Sequence, residues 1–328
     1  MAEWLFERGI GEDRAALVED GSILEAAIEL PGRLRVGAVL AGRLASILGR
    51  RGIVALDRGG EALLEPLPAK LTEGCKLNVE IVREALAEAG REKLPRCRVS
   101  DAAEREGPDL EQRLRAGGIP VAAAGAGGID RLEEAGWSEL LEEALSGEIA
   151  FPGGALRMSL TPAMTLFDVD GALPPAALAV AGAQAAGRAI RRLGVGGSIG
   201  IDLPTLARRD ERQAAAAALD AVLAPPFERT AVNGFGFLQV VRRRERPSLA
   251  ELLQGDPAGA AARALLRRSE RSSGAGVRTL HVHPAVAARL RQNPEWLETL
   301  ERRLGAAVAL QAEPALAISA GHVHSQFA

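Results

Sequence analysis

Two short stretches of the sequence decide the predicted fold, Met164-Thr-Leu-Phe-Asp-Val-Asp-Gly171 and Gly196-Gly-Ser-Ile-Gly-Ile-Asp-Leu-Pro204. Each is an apolar run of strand length that stops at a carboxylate and gives way to Gly or Pro, which are typical of strand ends. An alanine-rich stretch with helical character lies between them. We therefore expect two neighbouring strands that carry Asp168 and Asp202 at their loop-facing tips.

Asp168 and Asp202 are the candidate metal ligands, and Asp170 is a third candidate catalytic residue. Carboxylates on neighbouring strand ends form an oxygen-rich site that suits Mg²⁺ or Mn²⁺, because these ions take one or two carboxylates and fill the other positions with water and substrate phosphate. The alternative is that the aspartates are turn residues or helix N-caps. Spacing alone favours that alternative, since Asp-x-Asp is an unspecific pattern.

The residues around these stretches predict an α/β layer. Strands are expected within residues 153–169, 198–203 and 231–241, and helices over 174–193 and 205–223. When strands and helices alternate in this order, functional groups collect at the carboxyl ends of the strands. Both candidate metal ligands are expected at such ends.

Several segments, in this order along the chain, resemble the catalytic region of the ribonuclease E/G family. They are Phe151-Pro-Gly-Gly154, Met158-Ser-Leu-Thr-Pro-Ala-Met-Thr-Leu-Phe-Asp-Val-Asp-Gly171, Arg191-Arg-Leu-Gly-Val-Gly-Gly-Ser-Ile-Gly-Ile-Asp202, Arg208-Arg-Asp-Glu-Arg-Gln213 and Gly234-Phe-Gly-Phe-Leu-Gln-Val-Val-Arg242. The resemblance implies Mg²⁺-dependent endonucleolytic cleavage of single-stranded RNA, with Asp168 and Asp202 as metal ligands. Asp170 stands where the family has Asn, so it could bind a second ion or repel Asp168.

A small barrel is predicted from five short strand candidates at residues 36–48, 52–56, 62–67, 77–86 and 94–99. Gly42-Arg43 and Leu71-Thr-Glu-Gly-Cys-Lys-Leu-Asn-Val-Glu-Ile-Val82 resemble the S1 variant of the OB-fold, which the family carries at this place. Such barrels stack bases on aromatic rings. No aromatic residue occurs between Phe6 and Trp137, so we expect the barrel without this stacking surface.

The resemblance implies an α+β multidomain chain. Residues 1–32 and 100–146 are expected to form a ribonuclease H-like subdomain, into which an S1-type OB barrel of residues 33–99 is inserted. An α/β DNase I-like catalytic domain follows at 147–248, and a small α/β C-terminal domain at 249–328, with a helix over 284–304. The interval 100–148 is too short to hold both the family's 5′-end sensor and the second part of the ribonuclease H-like subdomain. It also lacks the family's Arg-Thr sensor pair, so no 5′-monophosphate sensing is expected.

The candidate RNA-binding residues are basic: Arg208, Arg209, Arg212, Arg242, Arg243 and Lys93. Arg208 and Arg212 would share one face of a helix, and Arg242 and Arg243 would neutralise phosphates near the metal. A solvated surface is the alternative for each of them. The net charge of −3 gives no global attraction for nucleic acid, so any contact with RNA must be local.

Cysteine and histidine usage bears on metals and assembly. Cys75 and Cys97 are the only cysteines, which excludes a four-cysteine zinc site and is consistent with a reducing compartment. The histidines form two pairs, His281-Val-His283 and His322-Val-His324, for which ordinary strand residues are favoured over a zinc or nickel site. The family's Cys-Pro-x-Cys zinc link is missing after residue 253. We expect no structural zinc, and a monomer or a weak homodimer.

Composition fits a globular protein, since 47% of residues are hydrophobic and 25% are charged. A cytoplasmic location without a membrane segment is expected, because the first residues carry acids and no signal-peptide core, and prolines and an arginine interrupt the apolar run at 172–190. The predicted function is that of a Mg²⁺-dependent endoribonuclease that cleaves single-stranded RNA. One alternative is a catalytically impaired RNA-binding or regulatory relative of the same family. A second is a metal-dependent nuclease that acts on DNA or on a small phosphoester.

Overall fold

The computed structural model describes residues 1–88, 91–125 and 129–327. The strands are β1 Glu3–Arg8, β2 Asp13–Glu19, β3 Ser22–Glu29, β4 Val39–Leu48, β5 Arg51–Leu56, β6 Glu61–Leu64, β7 Lys76–Arg83, β8 Leu86–Glu88, β9 Arg91–Lys93, β10 Arg96–Val99, β11 Val121–Ala123, β12 Glu148–Phe151, β13 Gly154–Leu160, β14 Thr165–Gly171, β15 Gly197–Asp202, β16 Glu228–Arg229, β17 Phe237–Arg242, β18 Ala275–Val282, β19 Val308–Ala312 and β20 His322–Phe327. The helices are α1 Leu110–Ala116, α2 Arg131–Glu134, α3 Trp137–Ser146, α4 Pro175–Arg192, α5 Arg209–Asp220, α6 Leu249–Gly255, α7 Pro257–Glu270, α8 Pro284–Gln292 and α9 Pro294–Leu304.

The protein is a mixed α/β protein with two compact units, each assembled from separate segments of the chain. The first unit comprises Met1–Pro31, Gly118–Leu141 and Leu252–Ala328. The second comprises Gly32–Gly117 and Glu142–Glu251. The four domains expected from the sequence do not coincide with these two units, since residues 100–117 and 142–146 of the expected ribonuclease H-like subdomain lie in the second unit. The division into four domains stays a prediction.

The second unit contains a closed, OB-like barrel of five strands, in the order β10-β6-β5-β4-β7. The predicted barrel is confirmed. Its strands alternate between exposed and buried side chains, and Leu44, Val54, Leu64, Val79 and Ile81 are fully buried inside it. Each such side chain contributes about 1.5–3 kcal/mol through its burial. The strand predicted at 77–86 ends at residue 83, and β8 pairs instead with β9 in a separate two-stranded sheet.

The second unit also contains a six-stranded mixed sheet in the order β12-β13-β14-β15-β17-β16. The predicted order of strand, helix, strand and helix is confirmed by β14, α4, β15 and α5. One face of the sheet is buried, and Val169 on that face meets α4 at Gly182, where an added Cβ would collide with the Val169 side chain. The opposite face of β14 is exposed and carries Asp168 and Asp170.

The first unit contains a four-stranded sheet, β11-β1-β2-β3, and a three-stranded sheet, β19-β18-β20. Its apolar core includes Ile10, Leu265, Leu280, Leu290 and Leu300, all buried. The helix predicted over 284–304 is two helices, α8 and α9, because Pro294 lacks a backbone N–H and begins a new helix. Among the helices of the described ranges, none is long and apolar enough to cross a membrane.

Candidate functional site

Asp168 and Asp202 lie side by side in the six-stranded sheet of the second unit. Strands β14 and β15 are parallel neighbours, and the register sets Asp168 opposite Asp202. Asp170 lies two residues beyond Asp168 on the same face, and all three side chains are exposed. The alternative of turn residues or N-caps is wrong, because each aspartate is a strand residue. Asp202 ends its strand as predicted, but β14 continues past Asp168 to Gly171.

The register also brings an arginine to this pair. Arg157 on β13 is opposite Asp168, and its Nε donates to Glu148 Oε1 at 3.0 Å. Across the exposed face of the sheet, the register therefore gives one row: Glu148, Arg157, Asp168, Asp202 and Phe237. The carboxylate of Glu148, followed by those of Asp168 and Asp170, raises the pKa of Arg157. The row places one permanent cation beside the aspartates.

Sequence reasoning missed Arg157. Alternation along β13 gives a signal, since Leu156 and Met158 are buried and Arg157 between them is exposed. However, alternation does not tell which strand lies next to β13 or in what register, and these two facts bring Arg157 beside Asp168.

The donor chemistry of the row fits Mg²⁺ or Mn²⁺. Within residues 1–88, 91–125 and 129–327, no three or more His, Cys, Asp or Glu side chains are grouped so that they could hold a metal ion. Two carboxylates suffice for Mg²⁺, which keeps several waters and also takes substrate phosphate. Asp168 and Asp202 are paired in the register of β14 and β15, and Asp170 lies two residues further along β14.

The arginines after β15 are engaged in local contacts. Helix α5 begins at Arg209 rather than at residue 205, so Arg208 is its N-cap residue, and the predicted shared helix face is wrong. The guanidinium of Arg208 pairs with Asp210, with Nε 3.0 Å from Oδ1. Arg212 donates from Nη1 to the carbonyl oxygens of Leu206 and Ala207 at 2.8 and 3.0 Å. Arg209 is exposed at the start of the helix.

Arg242 and Arg243 lie away from the aspartates. Arg242 is opposite Gly197 at the start of β15, whereas Asp202 is at its end. Because a strand rises about 3.3 Å per residue, the two sites are separated by roughly 16 Å along β15. The expectation that these arginines lie near the metal ligands is wrong.

Arg242, Arg243 and Lys93 instead line two adjoining cavities of the second unit, which we call the arginine cleft. The cavity at the end of β17 has a volume of about 360 Å³ and is lined by Val82, Arg83, Arg96, Gly197, Arg242, Arg243 and Arg244. The cavity beside the barrel has a volume of about 540 Å³ and is lined by Arg51, Leu63, Glu65, Arg83, Lys93, Leu94 and Arg96. Arg83 and Arg96 belong to both linings, so the two cavities form one basic cleft.

Acidic neighbours hold part of this cleft in place. Glu65 pairs with Arg51 at 2.9 Å and with Arg96 at 3.1 Å, and Arg243 pairs with Glu245 at 2.9 Å. Among the lining side chains themselves, the cations outnumber the single acid, Glu65. Such a surface favours a ligand that carries several phosphates.

Three of the four histidines make contacts with neighbouring protein groups. His281 Nδ1 pairs with Glu313, and its ring stacks on that of His322 with centroids 4.8 Å apart. His283 lies beyond β18, where its Nδ1 accepts a hydrogen bond from the backbone N–H of Ala285 and caps α8.

Burial raises the pKa of the Cys97 thiol to about 12, so this thiol is neutral at physiological pH. The absence of structural zinc stays a prediction.

Comparison of the chain with protein-family models gives no match. Comparison with curated protein sequences gives no significant match either. Membership of the ribonuclease E/G family therefore stays a prediction that depends on the quoted segments.

Proposed function

We propose that the protein is a divalent-metal-dependent endoribonuclease that cleaves single-stranded RNA, a short member of the ribonuclease E/G family. The observation that carries the proposal is the row in which Arg157, Asp168 and Asp202 lie in register on the exposed face of one sheet. In this proposal the six-stranded sheet and its helices are the DNase I-like catalytic domain, and the barrel is the S1 domain. The ribonuclease H-like subdomain, the C-terminal domain and a cytoplasmic location belong to the same proposal.

Asp168 and Asp202 would hold the ion, with Asp170 next to them. When bound, Mg²⁺ or Mn²⁺ supplies an acidified water and offsets the charge that grows on the phosphate. Arg157 would donate hydrogen bonds to the oxygens of the scissile phosphate, because a guanidinium beside two carboxylates reduces their repulsion of the substrate. These groups stand on paired strands, so they are positioned before the substrate arrives.

The arginine cleft would bind the RNA backbone. Its walls provide guanidinium and ammonium groups and no aromatic ring, so they read phosphates and not base identity. Since Arg242 and Asp202 are at opposite ends of β15, one RNA strand that fills both sites must span roughly 16 Å of sheet. Cleavage of very short RNA would then not benefit from the cleft.

The proposal is tested by incubating the purified full-length protein with end-labelled RNA in Mg²⁺ and in chelator. Single-stranded RNA, the corresponding duplex, single-stranded DNA and a small phosphodiester are compared. We expect internal cuts in single-stranded RNA, dependent on Mg²⁺ or Mn²⁺. Faster cleavage of DNA or of the small ester would replace the proposal by the alternative of a nuclease with another substrate.

A second candidate is a catalytically impaired RNA-binding relative of the same family. The distance between the arginine cleft and the aspartates favours it, because the cleft can bind phosphates without them. The substitution of the family's Asn by Asp170 also favours it. Binding of single-stranded RNA without cleavage at any tested divalent metal would select this candidate.

A further inference from the structure

An exposed aromatic ring lies at the edge of the sheet that carries Asp202. The sequence has seven Phe, three Trp and no Tyr, all within the described ranges, and of these only Phe235 and Phe327 are exposed. The side chain of Phe235 is 82% exposed. Full burial of a Phe side chain contributes about 1.5–3 kcal/mol to stability. Because the ring of Phe235 is mostly exposed, it contributes little of this free energy to the fold.

The backbone under Phe235 is nevertheless fixed. Asn233 Oδ1 accepts the N–H groups of Phe235 and Phe237 at 2.9 and 3.0 Å. Gly236 has a φ of +94°, and an added Cβ there would collide with the carbonyl oxygen of Leu203. The turn therefore fits glycine only, and it presents the ring from a rigid backbone.

This turn is attached to the chain directly after Asp202. The N–H of Leu203 donates to the carbonyl oxygen of Gly236 at 3.2 Å, and Thr205 Oγ1 donates to the carbonyl oxygen of Phe235 at 3.3 Å. Phe237, two residues after Phe235, is the register partner of Asp202. The exposed ring is thus held at the same edge of the sheet as the aspartate.

We propose that Phe235 forms a nucleobase-binding subsite, in which its ring stacks on one base of the RNA strand beside the Asp168–Asp202 pair. The inference builds on the proposed function. An unpaired nucleotide exposes the flat face of its base, and an aromatic ring stacks on any base. The barrel has no ring for this purpose, and Phe235 is the exposed ring of the second unit among the described residues. The stacked base occupies a fixed position relative to the cut.

The test measures binding without cleavage. Full-length protein in chelator is titrated with labelled single-stranded RNA, and Phe235→Ala, Phe235→Leu and Phe235→Trp are compared with the parent. Phe327→Ala is the matched control, because it removes the other exposed ring. We expect Ala and Leu at position 235 to weaken binding about 5- to 100-fold, since stacking on one base contributes that much, and Trp to keep the affinity.

A scan with abasic nucleotides locates the base. One abasic position should reproduce the loss in the parent, and at that position Phe235→Ala should cause no further loss. The proposal is overturned if Phe235→Leu binds RNA like the parent, or if Phe235→Ala binds like Phe327→Ala. It is also overturned if Phe235→Ala weakens binding at every abasic position. A stacking effect without any cleavage in Mg²⁺ would retain the subsite and reject the nuclease, and cleavage without a stacking effect would do the reverse.

Discussion

Arg157 is the permanent cation beside the candidate metal ligands. It faces Asp168 across the strand pair, and its side chain is 62% exposed, so substrate can reach it. Arg157→Gln should lower the rate of the chemical step about 10- to 100-fold while RNA affinity changes little, because the reacting phosphate then has one charge-assisted hydrogen bond fewer. Arg157→Lys should recover part of the rate. Arg98→Gln, an exposed barrel arginine paired with Glu80, is the control in single-turnover kinetics. Equal rates for Arg157→Gln and the control would remove Arg157 from the mechanism.

Asp170 is the departure from the family pattern. It shares the exposed face of β14 with Asp168 but lies opposite Ala155 rather than beside Asp202. Asp170→Asn should keep cleavage and change the preference between Mg²⁺ and Mn²⁺, because the pair in register supplies the primary ligands. Cleavage rates of the parent and of Asp170→Asn, measured at several concentrations of Mg²⁺ and of Mn²⁺, check this. If Asp170→Asn is as inactive as Asp202→Asn, Asp170 is itself a primary ligand.

Strand pairing decides what the sequence could and could not predict about the site. The aspartates were predictable, since each ends or interrupts an apolar run of strand length in β14 or β15. The position of Arg157 required the register with β13, and the location of Arg242 required the antiparallel pairing of β17 with β15. Such pairings follow from tertiary packing, which the local pattern of a strand does not encode.

The helices also include features that the sequence could predict and features that it could not. The break before Pro294 was missed in the single helix predicted over 284–304, although proline favours the first turn of a new helix and is a local signal for such a break. The start of α5 was misplaced because Leu206, Ala207 and Arg208 are compatible with a helix but belong to a connecting segment. Arg212 holds this segment by donating to the carbonyl oxygens of Leu206 and Ala207. The five-stranded barrel was predicted, as its turns and alternating strands are local features.

The arginine cleft is built from the ends of several strands, β7, β10 and β17 among them. Combining Arg96→Gln with Arg243→Gln should weaken binding of all single-stranded RNA sequences alike. The slope of log affinity against log salt should fall by about one unit for each phosphate that the protein no longer neutralises. Titrations at several salt concentrations measure it. Arg98→Gln combined with Arg105→Gln is the control, because these arginines are comparably exposed and outside the cleft. Equal slopes for the two double variants would assign the cleft to a solvated surface.

The first unit joins three distant segments of the chain, and buried charges connect them. Glu7 pairs with Arg14 and Arg271, and Asp130 accepts a hydrogen bond from Arg14 at 2.7 Å and pairs with Arg271 at 3.2 Å. Nearby, Glu12 pairs with Arg263 at 3.0 Å. The side chains of Glu7 and Arg14 are almost completely buried, so removal of one partner in such a network costs about 3–5 kcal/mol.

This network makes the stability of the first unit sensitive to acid. Burial alone would raise the pKa of Asp130, but the hydrogen bond from Arg14 and the charges of Arg14 and Arg271 hold that pKa below its ordinary value. A carboxyl with a lowered pKa stabilises the fold above the pKa of the unfolded chain, and this contribution is lost as the pH falls below about 4. The difference in unfolding free energy between the parent and Asp130→Asn should therefore shrink as the pH falls from 5 to 2. The total decrease should be about 1.4 kcal/mol for each unit by which folding lowers the pKa of Asp130.

Denaturant unfolding at several pH values measures this convergence. Asp20→Asn is the control within the same unit, since Asp20 is an exposed turn residue with a φ of +50° that Asn tolerates. A constant difference between the parent and Asp130→Asn over the whole pH range would contradict the role of the Asp130 carboxylate.

The central claim is that Asp168 and Asp202 form the metal site of a ribonuclease, and Asp202→Asn tests it most directly. Single-turnover cleavage of single-stranded RNA in Mg²⁺ is compared for the parent, Asp202→Asn and Asp57→Asn, an exposed aspartate of the barrel. We predict that Asp202→Asn unfolds at the temperature of the parent but cleaves at least about 100-fold more slowly, because several kcal/mol of transition-state stabilisation are lost. Asp57→Asn should cleave like the parent. Parental cleavage by correctly folded Asp202→Asn would contradict the claim.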